Sequence, residues 1–204
     1  MKKSIALISV FAVLMIAFSG CVDNNAVNGT DSNNPETNAV NGTDSNNPET
    51  NAISNEDAAG ISTLEKLPSG FEYVDTIPLS TDEIKNDYKA DNVSGILNGS
   101  EGIYRDSNKT EYHIDVIKLQ DEKATNSLIT AYKSSFSPLN NGSRFTDESF
   151  NGNSAVKITE YVTSGGETVS RYSYIWSNEN YVIVVFGNTP EEVPIRQLAE
   201  ATGY

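Results

Sequence analysis

AVKITEYVTSGGETVSRYSYIWSNENYVIVVF, residues 155–186, is the stretch that decides the fold class. Gly165-Gly166 divides two runs rich in β-branched and aromatic residues. Both glycines can take positive φ, which a tight two-residue hairpin turn requires. Strands are therefore expected over 155–164 and 167–176. Ser177-Asn178-Glu179-Asn180 then turns the chain into a third strand, 181–186. The prediction is a three-stranded antiparallel meander.

The Gly165-Gly166 turn also fixes a register, and the register sorts side chains onto two faces. Ser164 opposes Glu167, Val162 opposes Val169, Glu160 opposes Arg171 and Val156 opposes Ile175. A four-residue second turn sets Trp176 opposite Tyr181, Tyr174 opposite Ile183 and Ile175 opposite Val182. One face then carries Val156, Ile158, Val162, Val169, Ile175, Val182, Val184 and Phe186. It reads as core beneath a helix, with Glu160 and Arg171 as a cross-strand ion pair toward its edge.

The other face carries Tyr161, Tyr172, Tyr174, Trp176, Tyr181, Ile183 and Val185, with Tyr172, Tyr174, Trp176 and Tyr181 as its central ring row. Such rings give large contact area at low entropy cost, so this row is the candidate binding face. The alternative is a second packed layer, since tyrosine and tryptophan also favour strands in general.

Working outward, Asp121 to Phe136 reads as the one long helix. Ala124, Leu128, Ala131, Tyr132 and Phe136 recur on one helical face, Asp121 can cap it, and Ser137-Pro138 ends it. Strands are expected at Gly70–Val74, Gly95–Tyr104 and Glu111–Leu119, with Asp106-Ser107-Asn108-Lys109 as a turn between the last two. Pro68 and Pro78 bracket the first of these. A short helix follows Ser80 as far as Tyr88, and Val193 to Thr202 forms a short C-terminal helix with Pro194 in its first turn. Asp147-Glu148 reads as a turn or strand end. The expected fold class is α+β: an antiparallel sheet with one long helix and a short C-terminal helix packed on it, a single domain over residues 61–204.

The chain before residue 61 has a different character. Met1-Lys2-Lys3 is basic, Ser4 to Phe18 is apolar, and Ser19-Gly20 precedes Cys21, the single cysteine of the chain. This is the pattern of a secretory signal peptide over residues 1–20. As a helix the apolar run reaches only about 22 Å, against roughly 30 Å of hydrocarbon. Phe18-Ser19-Gly20-Cys21 resembles a lipobox, departing from it at Phe18 where leucine is usual. The resemblance implies lipid on the Cys21 thiol and cleavage before it. The alternative is an uncleaved N-terminal helix that stays as the membrane anchor.

Residues 21–60 read as a disordered Asn/Thr/Ser-rich linker. The thirteen-residue unit starting at Asn25 recurs unchanged at Asn38, and its apolar content cannot offset the entropy of ordering. As a flexible coil this leash spans roughly 34 Å. Acceptor patterns for N-glycosylation begin at Asn28, Asn41, Asn92, Asn98, Asn108 and Asn141, in a chain rich enough in Asn, Ser and Thr to carry several by chance.

With 14 Lys plus Arg against 28 Asp plus Glu, the net charge is −14. That excludes a nucleic-acid partner, whose phosphates need basic patches, and leaves any membrane link to the anchor. His113, the single histidine, has Asp115 two residues on, along the same strand face. No nucleophile motif accompanies the pair, and no phosphate loop, metal cluster or Gly-x-Ser-x-Gly elbow is present. No cofactor, metal or enzymatic activity is expected, and His113 reads as a solvated strand residue.

The lone Cys21 after an apolar leader, the Asn-rich tail, the run SYIWSNENYVIVVFGNT at 173–189, YKSSF at 132–136 and the closing LAEATGY at 198–204 resemble small lipoproteins of methanogenic archaea. That resemblance implies an address, the outer face of the cytoplasmic membrane, and no activity. The order of elements is loosely similar to PsbP and Mog1-like α+β domains in layout alone. The expected function is a lipid-anchored, extracellular binding or accessory module. The alternative is a structural cell-envelope component with an envelope protein as its partner.

Overall fold

The computed structural model of the protein describes residues 56–204. The expected leader, the lipid site Cys21, the repeats, Asn28 and Asn41 lie outside the described residues. Among the described residues no helix is long and apolar enough to cross a membrane.

The fold is α+β. Seven antiparallel strands form one sheet in the order β1-β2-β3-β7-β6-β5-β4, with α1 (Glu56–Ser62), β1 (Phe71–Leu79), α2 (Thr81–Asp87), β2 (Ile96–Asp106), β3 (Glu111–Leu119), α3 (Glu122–Ser134), β4 (Phe145–Phe150), β5 (Asn153–Ser164), β6 (Glu167–Asn178), β7 (Tyr181–Gly187) and α4 (Glu192–Ala201) in chain order. Two meanders meet where β3 pairs with β7, and α3 carries the chain from the sheet centre to its far edge at β4.

The first hairpin has the expected register, from Ser164 opposite Glu167 to Ala155 opposite Trp176. Gly165 (φ 61°) and Gly166 (φ 87°) take the left-handed geometry that the turn demands. The second hairpin differs. Asn178 pairs directly with Tyr181, Trp176 with Ile183 and Ile175 with Val184, a shift of two residues from the expected register. The turn is only Glu179-Asn180, and Glu179 takes φ 52°. A shift of two preserves facing, so the sorting of side chains survives.

Helix α3 begins at its expected cap, the Asp121 carboxylate accepting from the Ala124 amide. Ser80 and Glu83 form a reciprocal capping box on α2. β1 runs through Pro78 to Leu79, which is possible because β1 is an edge strand.

Helices cover both faces of the sheet. α2 and α3 lie on the aliphatic face, where Ile84, Leu128, Ile117, Ile158, Ile175, Val182 and Val184 pack together. α1 and α4 lie on the aromatic face, over Tyr104, Tyr112, Tyr174, Trp176, Ile183 and Val185.

Two elements were not expected. α1 falls inside the segment read as linker up to residue 60. Its Ala58 and Ile61 are buried, and the Tyr104 hydroxyl donates to the Ser62 carbonyl at 2.6 Å while accepting from the Leu64 amide at 2.8 Å. The folded domain therefore includes residues 56–60, part of the expected linker. Asp147-Glu148, expected as a turn or strand end, lie within β4, an edge strand pairing with β5 from Phe145 opposite Ile158 to Phe150 opposite Asn153.

Candidate functional site: a polar cleft over His113

The aromatic row is not a binding face as a whole. Tyr174 is 0% exposed and Trp176 1%, because α1, α4 and Phe150 cover them. Phe150 meets Trp176 edge-on at 5.0 Å and Tyr174 at 5.8 Å. Tyr172 and Tyr181 are half-buried at the margin of the same cluster. The packed-layer alternative accounts for Tyr174 and Trp176, while Tyr172 and Tyr181 are covered in part and Tyr172 also borders the cleft over His113. The Tyr174 hydroxyl donates to Glu192 at 2.7 Å, and Glu192, Lys157, Glu148, Arg196 and Glu200 form a chain of ion pairs that ties α4 to the sheet.

The opposite face holds a polar cluster in its core. Asp115 and Glu101 are cross-strand partners on β3 and β2, and both side chains share a face with His113. Asp115 is 6% exposed, and Tyr88, at the end of α2, donates its hydroxyl to Asp115 Oδ2 at 2.5 Å. Asp115 Oδ1 has no partner. Burial, reinforced by the Glu101 carboxylate, pushes the Asp115 pKa far above the carboxylate range although Tyr88 and His113 act against this. The group stays protonated at neutral pH. Burial and the Asp115 charge likewise push Tyr88 up, so it remains a donor.

His113 is neither free nor fully solvated. Its ring stacks on Phe186 at 4.9 Å and 11°, and Nδ1 lies 3.2 Å from Glu101 Oε1. That contact is close enough for charge attraction but is not aligned as a hydrogen bond, so Nδ1 remains without one. Burial lowers the His113 pKa, but Glu101, Asp115 and Glu111 outweigh it and hold the pKa above the usual histidine value.

In front of His113 lies a cleft of about 240 Å³, lined also by Tyr132, Glu160, Arg171, Ser173, Phe186 and Asn188. α3 contributes Tyr132 from its last turn, β5 contributes Glu160, β6 Arg171 and Ser173, β7 Phe186, and the segment just after β7 Asn188. Glu160 and Arg171 oppose each other in register as expected, yet they do not form the expected ion pair. The Arg171 guanidinium donates instead to Asn188 Oδ1 at 3.1 Å and to the Ser170 carbonyl at 3.1 Å. Burial and the Glu160 charge hold the Tyr132 phenol protonated, a potential donor at the cleft wall.

Ser173 and His113 both sit opposite Phe186, one strand away on either side. Two strand spacings separate them by about 10 Å with the Phe186 ring between, out of reach for a serine–histidine dyad. Among the described residues no three His, Cys, Asp or Glu side chains are grouped to hold a metal ion. A wider hollow of about 680 Å³ runs along α3 from Asn92 to Ala131, but its polar side chains are all exposed and it lacks a buried charge.

Of the glycosylation patterns, Asn92, Asn108 and Asn141 are exposed. Asn98 is 9% exposed within β2, paired to Lys118, so the fold closes that position. The signals of the cleft legible in the sequence are the His113–Asp115 spacing and the Glu160–Arg171 opposition. No family model matches the chain, and no curated protein or solved structure matches it. The chemistry of the site is read from its own side chains.

Proposed function

We propose that the protein is a lipid-anchored binding or accessory module, held at the outer face of the cytoplasmic membrane through Cys21, and that it takes its ligand in the cleft over His113. The observation that carries the reading is the state of the cleft's polar groups. Glu160 and Arg171 face each other across the cleft without an ion pair between them, and the half-buried His113 meets only Glu101, 3.2 Å from Nδ1, with no aligned hydrogen bond. Buried unsatisfied groups cost stability, and a surface with no ligand to meet gains nothing from keeping them. The acidic, repeat-built leash behind Cys21 suits a domain that works away from its anchor.

The test is purification of the full-length lipoprotein from its own membranes in detergent, beside Arg171→Gln. The reading expects a co-purifying molecule that the variant loses while keeping its far-ultraviolet circular dichroism. Identical co-purification from both proteins counts against the cleft.

A structural envelope role is the second reading. It is favoured by the open edge strand β1, where Tyr73, Val74 and Ile77 are exposed. Unpaired edges invite strand addition by a partner. This reading expects envelope proteins to accompany the wild type and Arg171→Gln equally, and to be lost when Ile77 is replaced by lysine.

A further inference from the structure

We propose that the cleft over His113 binds a small zwitterion, a free α-amino acid, with Glu160 receiving the ammonium group and Arg171 the carboxylate. The inference rests on the cleft being the ligand site. It starts from two opposite charges that the sheet register sets side by side and that nevertheless do not neutralise each other. Directly opposed residues carry their Cβ atoms about 5 Å apart, well within reach of an ion pair.

Arg171 is turned aside by Asn188 and the Ser170 carbonyl. A guanidinium has five N–H donors in a planar fork, so these two bonds leave others for a carboxylate. Glu160 accepts no hydrogen bond and joins no ion pair among the described residues, and it is only half-exposed. A simple anion would satisfy Arg171 and leave Glu160 facing like charge. A simple cation would do the reverse. A ligand carrying both charges on one carbon answers both side chains at once. A peptide does not, since its two termini belong to different residues.

The rest of the cleft suits the ligand's side chain. Phe186 and Tyr132 offer apolar ring surface, and His113 stacks behind Phe186. Pockets for drug-sized ligands run about 300–1,000 Å³. A cleft of about 240 Å³ takes something smaller, in keeping with a single amino acid.

The experiment uses the full chain. Each proteinogenic L-amino acid is screened singly by thermal shift, and the best is titrated by calorimetry beside its amide and its N-acetyl derivative. The inference expects one-to-one binding of the free amino acid, at least tenfold weaker binding of both blocked forms, and at least tenfold weakening in Glu160→Gln and in Arg171→Gln. Unchanged Trp176 emission verifies that each variant is folded. Blocked forms that bind as well as the parent overturn the zwitterion while leaving the cleft as the site. Silence from every amino acid also overturns it. The native-membrane comparison, which presupposes no ligand charge, then judges the cleft separately.

Discussion

Tyr88 donates to Asp115 at 2.5 Å across the seam between α2 and the sheet, yet the second oxygen of that carboxyl group has no partner. A buried carboxyl group in this position is more comfortable with its proton on. Tyr88, Tyr132, Glu101 and His113 are the titratable groups packed around it.

Stability should therefore fall as pH rises. The folded state holds the Asp115 proton to about pH 8, whereas the unfolded chain releases it near pH 4. A raised folded pKa gives a contribution that is complete below the unfolded value and lost as pH climbs through the folded one. The raised His113 pKa adds in the same direction. Asp115→Asn keeps an acceptor for Tyr88 and removes the proton. Urea unfolding at pH 5 and pH 9 should show a flatter dependence in the variant, with the variant the more stable protein at pH 9. An unchanged slope would contradict the buried, protonated assignment.

Trp176, the single tryptophan, reports on the aromatic face. At 1% exposure its emission should be blue-shifted and acrylamide should quench it weakly. Trp176→Ala should cost about 3–5 kcal/mol, the usual range for a large buried ring. Solvent-like emission with efficient quenching would return Tyr174 and Trp176 to the surface.

The docking of α1 can be tested at Gly102. A Cβ there would come within 2.0 Å of the Ser62 carbonyl oxygen, backbone that cannot swing away as a side chain does. Gly102→Ala should cost about 1–3 kcal/mol by overpacking. Tyr104→Phe removes the donor to Ser62 and the acceptor for Leu64, and should cost about 1–3 kcal/mol. Chemical unfolding measures both, and wild-type stability in both would detach α1 from the sheet.

Asn98 should remain unmodified in a host that glycosylates such sites, because it is folded into β2. Glycopeptide mapping of the protein from its own host should find any glycan on the described part of the chain at Asn92, Asn108 or Asn141. A glycan on Asn98 would mean modification before folding.

What was legible in the sequence follows from which signals are local. Gly165-Gly166 dictated a turn, and the turn dictated ten paired positions of β5 and β6. Ser80 and Asp121 announced their helices through their caps. The second hairpin misled because Ser177-Asn178-Glu179-Asn180 looks like one turn, while only Glu179 takes positive φ and Asn178 still pairs. β4 was hidden because this edge strand exposes the adjacent Thr146 and Asp147 on opposite faces, so it lacks the alternation that marks a strand in sequence. α1 was hidden in Asn-rich surroundings. Periodicity placed Tyr174 and Trp176 on a common face, but what covers that face comes from α1 and α4, distant in the chain. The cleft is less legible still: Tyr132, His113, Arg171 and Phe186 come from four elements and meet only once the sheet is assembled.

The most direct test of a tethered module with its site over His113 is native mass spectrometry of the detergent-solubilised protein from its own membrane, run beside Glu160→Gln/Arg171→Gln. The predicted spectrum is a chain beginning at Cys21 with added lipid mass, carrying a non-covalent small-molecule adduct that the double variant lacks. A chain beginning at Met1, an unmodified Cys21, or the same adduct on both proteins would contradict the account.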